Sequence, residues 1–302
     1  MRTVTRKAIM KELRLPVEMR DFLVTLLFSF AALWVLSSGV SSAYAFEIHA
    51  EPSAIMPGDA FIVRVSGVKG MILPEASFSS RPLSFASCGD GCFFSIGAAD
   101  SKTGPGKQMV EVKIGQEKKR LPITIRRHLF PVIQLTLPPG KVTLSQEDSE
   151  RAEREDKLLK SFWTQQSEKM WQGSFSLPMG NEISTQYGVK RIINKKKESI
   201  HGGIDIRGRE GEDVRASNSG RVVLAEELFF GGNTLVLDHG MGIFTVYMHL
   251  SGFNSKLGES VSKGDVIGFV GSTGRSTGPH LHFGVKAQEL SVNPVSFAKL
   301  KL

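Results

Sequence analysis

Over residues 46 to about 140, hydrophobic and polar positions alternate with a period of two. Val110, Val112 and Ile114 alternate with Glu111 and Lys113, and Phe61, Val63 and Val65 alternate with Ile62 and Arg64. Side chains at i and i+2 share one face of a strand, so these stretches predict strands that bury one face. Turn clusters, Met56-Pro57-Gly58-Asp59 and Thr103-Gly104-Pro105-Gly106, separate the runs. The pattern predicts a small β-sandwich or barrel over residues 46–140, closed by Pro138-Pro139-Gly140.

The period then changes. Ser145 is placed as an N-cap, and Glu147, Asp148 and Glu150 follow in a first turn, where the helix dipole favours acids. Leu159, Phe162 and Trp163 give one apolar side, so residues 145–170 read as a helical connector within a linker spanning 141–172. Its charge run reads as a solvated face. From about residue 173 to 302 short apolar runs are separated by glycine turns. Arg221–Ala225, Thr234–Asp238, Ile243–His249, Asp265–Val270 and His280–Val285 are the strand candidates. The fold class expected is mainly β: an N-terminal β domain, a helical connector and a C-terminal antiparallel β domain with an open groove.

Composition adds a compartment. The formal charge is +8 with 41% apolar residues, which suits a globular chain of two domains. Residues 1–45 hold six basic side chains against three acidic ones, leaving +5 for the remainder. No basic stripe with interleaved aromatics suggests nucleic acid. Phe22–Leu36 is an apolar run of 15 residues preceded by Arg20 and followed by small residues ending in Ala43-Tyr44-Ala45. That is the layout of a secretory signal cleaved after Ala45, the alternative being an uncleaved anchor, although the run is short for a membrane-spanning helix of about 20 residues. Export to the periplasm or cell envelope follows. In that setting Cys88 and Cys92, flanking Gly89-Asp90-Gly91, are expected to form a disulfide across a tight loop rather than a metal or redox site.

The chemistry-bearing stretch is Gly271–Phe283, G-S-T-G-R-S-T-G-P-H-L-H-F. On a strand His280 and His282 share a face, with Leu281 and Phe283 on the other. Upstream, His201-Gly-Gly-Ile-Asp205 puts His201 and Asp205 on one face of an extended segment. Ligands of His, Asp and His type, with a fourth position left to water, are what a catalytic zinc ion takes. Such a set leaves the ion with residual positive charge, which acidifies the water.

Several segments occur in a fixed order: Tyr187-Gly188, His201-x-x-x-Asp205, Gly211-x-x-Val214-x-Ala216, Asp238-His239-Gly240, Tyr247-Met248-His249-Leu250, Gly264-Asp265-x-Ile267-Gly268 and Gly274-x-x-Thr277-Gly278-Pro279-His280-Leu281-His282-Phe283. Together they resemble the M23 (lysostaphin/LytM-type) zinc metallopeptidases over about residues 175–296. The resemblance implies one zinc ion per chain, held by His201, Asp205 and His282. It further implies that His249 and His280 act on water and on the developing oxyanion. His239 reads as a structural hydrogen-bonding residue, and His49 and His128 as surface or structural ones. The implied activity is hydrolysis of peptide cross-links in bacterial peptidoglycan, with its peptide stems as partners. In some multi-domain relatives a neighbouring domain covers the groove, so intramolecular inhibition by the N-terminal domain is a further expectation. Lys195-Lys196-Lys197 is either a solvated loop or a groove rim that attracts carboxylates.

Two other classes of function compete. A catalytically silent wall-binding or amidase-activating module would usually lack ligands, and this chain keeps them. A lipoyl- or biotinyl-type carrier, superficially suggested by Gly258–Val270, would not explain five site residues and lacks the modified lysine.

Overall fold

The alternation in strand Ala60–Ser66 resolves into two buried faces rather than one buried and one wet. Phe61, Val63 and Val65 enter one apolar cluster and Ala60 and Ile62 another. Strand Cys92–Ala98, beside it, divides the same way: Phe93 goes to the first cluster, and Phe94, Ile96 and Ala98 to the second. These strands lie in the computed structural model, which describes residues 46–70, 72–135, 144–194 and 197–302. Phe46–Leu302 make one compact unit. The expected signal and its cleavage point at Ala45 lie outside the described residues, as do Pro138-Pro139-Gly140. Among the described residues no helix is long and apolar enough to cross a membrane.

The chain is mainly β, as its pattern predicts. Two sheets form the N-terminal sandwich. One has four antiparallel strands, with Ala60–Ser66 and Cys92–Ala98 at its centre; the other has five, built around the hairpin Gly106–Ile114 and Glu117–Ile125. Phe61 and Phe78 meet edge to face at 4.8 Å between the sheets. Phe61 also lies where a side chain on Gly97 would be, so this position has to be glycine. Cys88 and Cys92 form the expected disulfide at the hairpin end of the four-stranded sheet.

The outer face of that sheet packs onto the C-terminal half. Ile62, Phe94 and Ile96 share a core with Trp171, Phe175 and Phe297, and Phe94 meets Trp171 edge to face at 5.7 Å. Burying each such side chain is worth about 1.5–3 kcal/mol, so the contact is a structural joint rather than a loose linker. Polar contacts fix its register: Asn293 donates its N–H to Gly58 O at 2.8 Å, and its amide group bonds Asp59 Oδ1 at 3.2 Å.

The C-terminal half is built on one antiparallel sheet. Its strands run in the order Ile183–Thr185, Gly203–Arg207, His280–Ala287, Ile243–Phe253, Gly232–Gly240, Gly220–Leu228 and Ser260–Val261, with Asp213–Arg215, Val266–Val270 and Leu290–Val292 paired beside this path. All five strands expected from sequence are present, most of them longer than the apolar run that announced them. The connector differs from expectation in two ways. Its helix, Gln146–Trp163, starts at the predicted N-cap, where the Ser145 hydroxyl accepts the Asp148 N–H at 3.0 Å, but it stops at Trp163 rather than near residue 170. The stop is where Trp163 drops into a pocket of Leu224, Phe244 and Val246, with Lys286 Nζ over its ring at 5.4 Å. Ahead of the helix, Val132–Leu135 is a strand, pairing in parallel with Lys190–Ile193.

His239, read as structural, is fully buried in the sheet. Its Nδ1–H donates to Ser219 O at 2.8 Å, and Nε2 accepts at 2.7 Å from the Thr245 hydroxyl, whose oxygen is also 3.0 Å from the Tyr247 hydroxyl. Burial pushes its pKa down to about 4, against the smaller opposing effect of the Ser219 carbonyl. The unfolded chain, with an ordinary histidine near 6.5, takes up the proton first as pH falls. His239 therefore contributes stability that is full above about 6.5 and is lost as pH drops toward 4. In chelated protein, urea unfolding of wild type and His239→Gln is expected to show the variant weaker at pH 7 and the gap narrowing by pH 4.5. The narrowing should approach about 1.4 kcal/mol per pH unit at its steepest; a gap independent of pH would contradict it.

Candidate metal centre

Three strands and one loop bring the site together. Strand Gly203–Arg207 pairs antiparallel with His280–Ala287 so that Asp205 lies directly across from His282 and Arg207 across from His280. On its other side, His282 faces Met248. Residues in direct cross-strand register have their Cβ atoms about 4.5–5.5 Å apart, so pairing alone delivers an aspartate and a histidine to one spot. His201 lies between strands, two residues before this one, held by its own N–H on Val189 O and its carbonyl on the Gly188 N–H, both 2.9 Å. Gly203 lets the two strands close: a side chain there would meet Phe283 O at 2.3 Å and His282 Nε2 at 2.9 Å.

The three side chains converge on one point. His201 Nε2, Asp205 Oδ1 and His282 Nδ1 lie 2.8–2.9 Å from one another. His201 Nδ1 is 2.9 Å from Gln186 O, and a carbonyl only accepts, so the His201 proton sits on Nδ1. Its Nε2 lone pair then faces a carboxylate oxygen and a second ring nitrogen. A proton on His282 can satisfy only one of these contacts; a cation with zinc bonds of about 2.0–2.2 Å satisfies all three, so the donor set fits the ion. The outer partners also fit: Arg191 Nη2 holds Asp205 Oδ2 at 3.2 Å, leaving Oδ1 toward the histidines. Burial opposes ionisation of Asp205, but its close contacts with His201 and His282 outweigh it, and the carboxyl is held well below its ordinary range. Burial lowers the pKa of His282.

His249 and His280 stand beside this trio, their rings 4.8 Å apart. His280 Nδ1–H donates to Gly278 O at 2.8 Å, and its Nε2 is 3.9 Å from Asp205 Oδ1. His249 Nδ1–H donates to Thr273 O at 2.8 Å. Both rings therefore keep Nε2 free. Burial, offset in part by the Thr273 carbonyl, pushes His249 down to about 4, so it is neutral at pH 7. Its φ of 65° is left-handed, which costs a non-glycine residue roughly 1 kcal/mol or more, and its N–H is tied to Gly231 O at 2.7 Å. Backbone strain at a bonded position beside a polar cluster is the signature of a side chain held for use.

All five predicted residues line one cavity of about 680 Å³. His49 and His128 are exposed and away from it, as expected of surface residues. Of the Lys195-Lys196-Lys197 rim, residues 195 and 196 lie outside the described residues. The cavity has neighbours that sequence reading missed. Ile133 and the helix residues Ala152, Glu155, Asp156 and Leu159 form part of its wall, so the groove is partly covered, and the helix's charged face is not wholly solvated. Glu155, only 17% exposed, accepts the Phe229 N–H and Arg151 Nε, both at 2.7 Å. Arg191 and Arg275 line it too. Arg275 stands between Gly274 and Ser276 in the chemistry-bearing stretch, where the sequence reading gave it no role. No spacing marked Arg191.

Residues 199–294 match the family model for peptidase family M23. The DD-carboxypeptidase/endopeptidase Mpg of Neisseria meningitidis is 46% identical over 116 residues, which cover 38% of this chain and 27% of that protein. The peptidoglycan DD-endopeptidase ShyA of Vibrio cholerae is 38% identical over 112 residues, covering 37% and 26%. The chain thus spans about a quarter of the length of these curated relatives. A crystal structure from Pseudomonas aeruginosa, of a protein assigned to peptidase M23, aligns with a TM-score of 0.62 at 26% identity, over 80% of this chain and 94% of that one. The resemblance read from the ordered motifs is borne out: this chain carries a peptidase family M23 domain.

Proposed function

We propose that this protein is an exported zinc endopeptidase that hydrolyses peptide cross-links of peptidoglycan. The observation that carries the reading is the convergence of His201 Nε2, Asp205 Oδ1 and His282 Nδ1 within 2.9 Å, with two further free imidazole nitrogens beside them. The names of the relatives support the substrate class. Zinc, when bound by these three residues, supplies Lewis acidity toward a carbonyl and a water molecule. Neutral His249 can take a proton at Nε2 and return it to the leaving amine. His280 Nε2 can act toward the oxyanion, as a donor when protonated there. Thr273 O and Gly278 O keep both rings from turning away. A silent wall-binding module would have no need of the strained His249.

We further propose that the connector helix limits access to the groove. Among the described residues the side chains of the trio bond to one another, to Gln186 O and to Arg191. Such a cover would act by narrowing the cavity, not by replacing water on the metal.

Purified protein is expected to hold about one zinc per chain. His201→Ala or His282→Ala should abolish that, while His249→Ala or His280→Ala should keep the metal and lose about a hundredfold or more in turnover. Metal analysis beside a cross-link cleavage assay separates the roles; metal retained in the His201→Ala, His282→Ala double variant would show that the ion lies elsewhere.

For the cover, Glu155→Ala removes the helix's bond to Phe229 N. If that bond is worth about 1 kcal/mol, turnover of a large cross-linked fragment should rise up to about fivefold, with a smaller change on a short peptide. An unchanged or lower rate on the large fragment, with thermal stability nearly intact, would argue against inhibition by the helix.

A further inference from the structure

Arg275 is a cation on the cavity wall that no carboxylate among the described residues answers. Its guanidinium stacks on Phe230 at 4.3 Å, and its backbone N–H is fixed on Phe230 O at 3.0 Å. None of the ion pairs among the described residues involves it, although both acids of the helix wall are close to the same cavity. Those acids are committed elsewhere, Glu155 to Arg151 at 2.7 Å and Asp156 to Lys160 at 2.5 Å. Arg191, on Asp205 at 3.2 Å, adds a second guanidinium. Partial burial first, and the Arg191 charge second, make the Arg275 cation less favourable than in water. A chain does not gather two guanidiniums at a cavity without cost, and an anion entering between them would relieve it.

Resting on the hydrolase reading, we infer that Arg275, assisted by Arg191, binds a carboxylate of the peptide substrate, carried on the carbon attached to the scissile nitrogen. Arg191 touches a residue of the metal trio directly, so the anion it helps to hold must lie within about one residue of the bond that breaks. Two peptidoglycan amides have this chemistry. One is a cross-link whose accepting amine sits beside the carboxylate of a diamino acid; the other is the terminal D-alanyl-D-alanine amide. A glycyl-glycine bridge has no carboxylate there. Arg275 is thus a specificity-determining residue that selects carboxylate-bearing stems over neutral bridges.

The test is equilibrium binding to the chelated full chain, where nothing is cleaved and no metal can hold the carboxylate instead. The probes are a stem pentapeptide ending in D-alanyl-D-alanine, a cross-linked stem dimer, the carboxamide counterpart of each, and pentaglycine amide. Wild type should bind at least one acid about tenfold or more tighter than its amide, with pentaglycine amide weaker still. Arg275→Gln should remove that preference while leaving binding of the amides unchanged, and Arg275→Lys should retain part of it. Preference in the pentapeptide arm, the dimer arm or both identifies the source. Equal binding of acid and amide in both arms overturns the inference. So does an Arg275→Gln variant that weakens acids and amides alike while Arg275→Lys does the same, since that marks a loop-packing role. If zinc-loaded wild type cleaves none of these peptides, the hydrolase reading fails, while the binding comparison still decides the carboxylate site.

Discussion

The cross-strand register of Gly203–Arg207 against His280–Ala287 is the constraint on which the rest depends. It fixes Asp205 opposite His282, and a shift of one residue would turn either side chain to the apolar face. Nothing local enforces it. Ile204 and Ile206 on one strand and Leu281 and Phe283 on the other must all reach the core together, so burial of the apolar face holds the polar face in place. Gly203 then allows the approach that a side chain would block.

The second structural feature is a sheet used twice. Because Ala60–Ser66 and Cys92–Ala98 bury both faces, the N-terminal sandwich and the peptidase sheet share apolar surface across a joint lined by Ile62, Phe94 and Trp171. The connector also crosses the C-terminal half. Val132–Leu135 pairs with Lys190–Ile193, and Trp163 plugs the far end of the helix into the sheet. The wall of the cavity is therefore a consequence of how the connector is anchored.

Charge completes the description. The cavity combines a buried carboxylate tied to two histidines, the neutral imidazole of His249 beside the His280 ring, and two guanidiniums, whereas the acids of the helix are paired on their own element. With a divalent cation in the trio the excess would be strongly positive. On the hydrolase reading proposed above, that excess would favour the charge developing on a carbonyl oxygen.

What the sequence determined by itself is local and periodic. Alternation located the strands, a Ser145 cap with acids behind it located the helix start, and even spacing put His280 with His282 and His201 with Asp205. Ordered motifs identified the family. These features depend on neighbours a few residues apart, so a linear reading reaches them. The helix end, the second buried face of Ala60–Ser66, the helix wall of the cavity and the place of Arg191 and Arg275 were decided only by tertiary structure. Each depends on what packs against the residue from far along the chain: Ile62 looks like a misfit in an alternating strand until Phe175 and Trp171 arrive to cover it, and Arg275 shows no role until Asp205 and Arg191 share its cavity. Periodicity records which face a residue occupies, and only packing settles what that face meets.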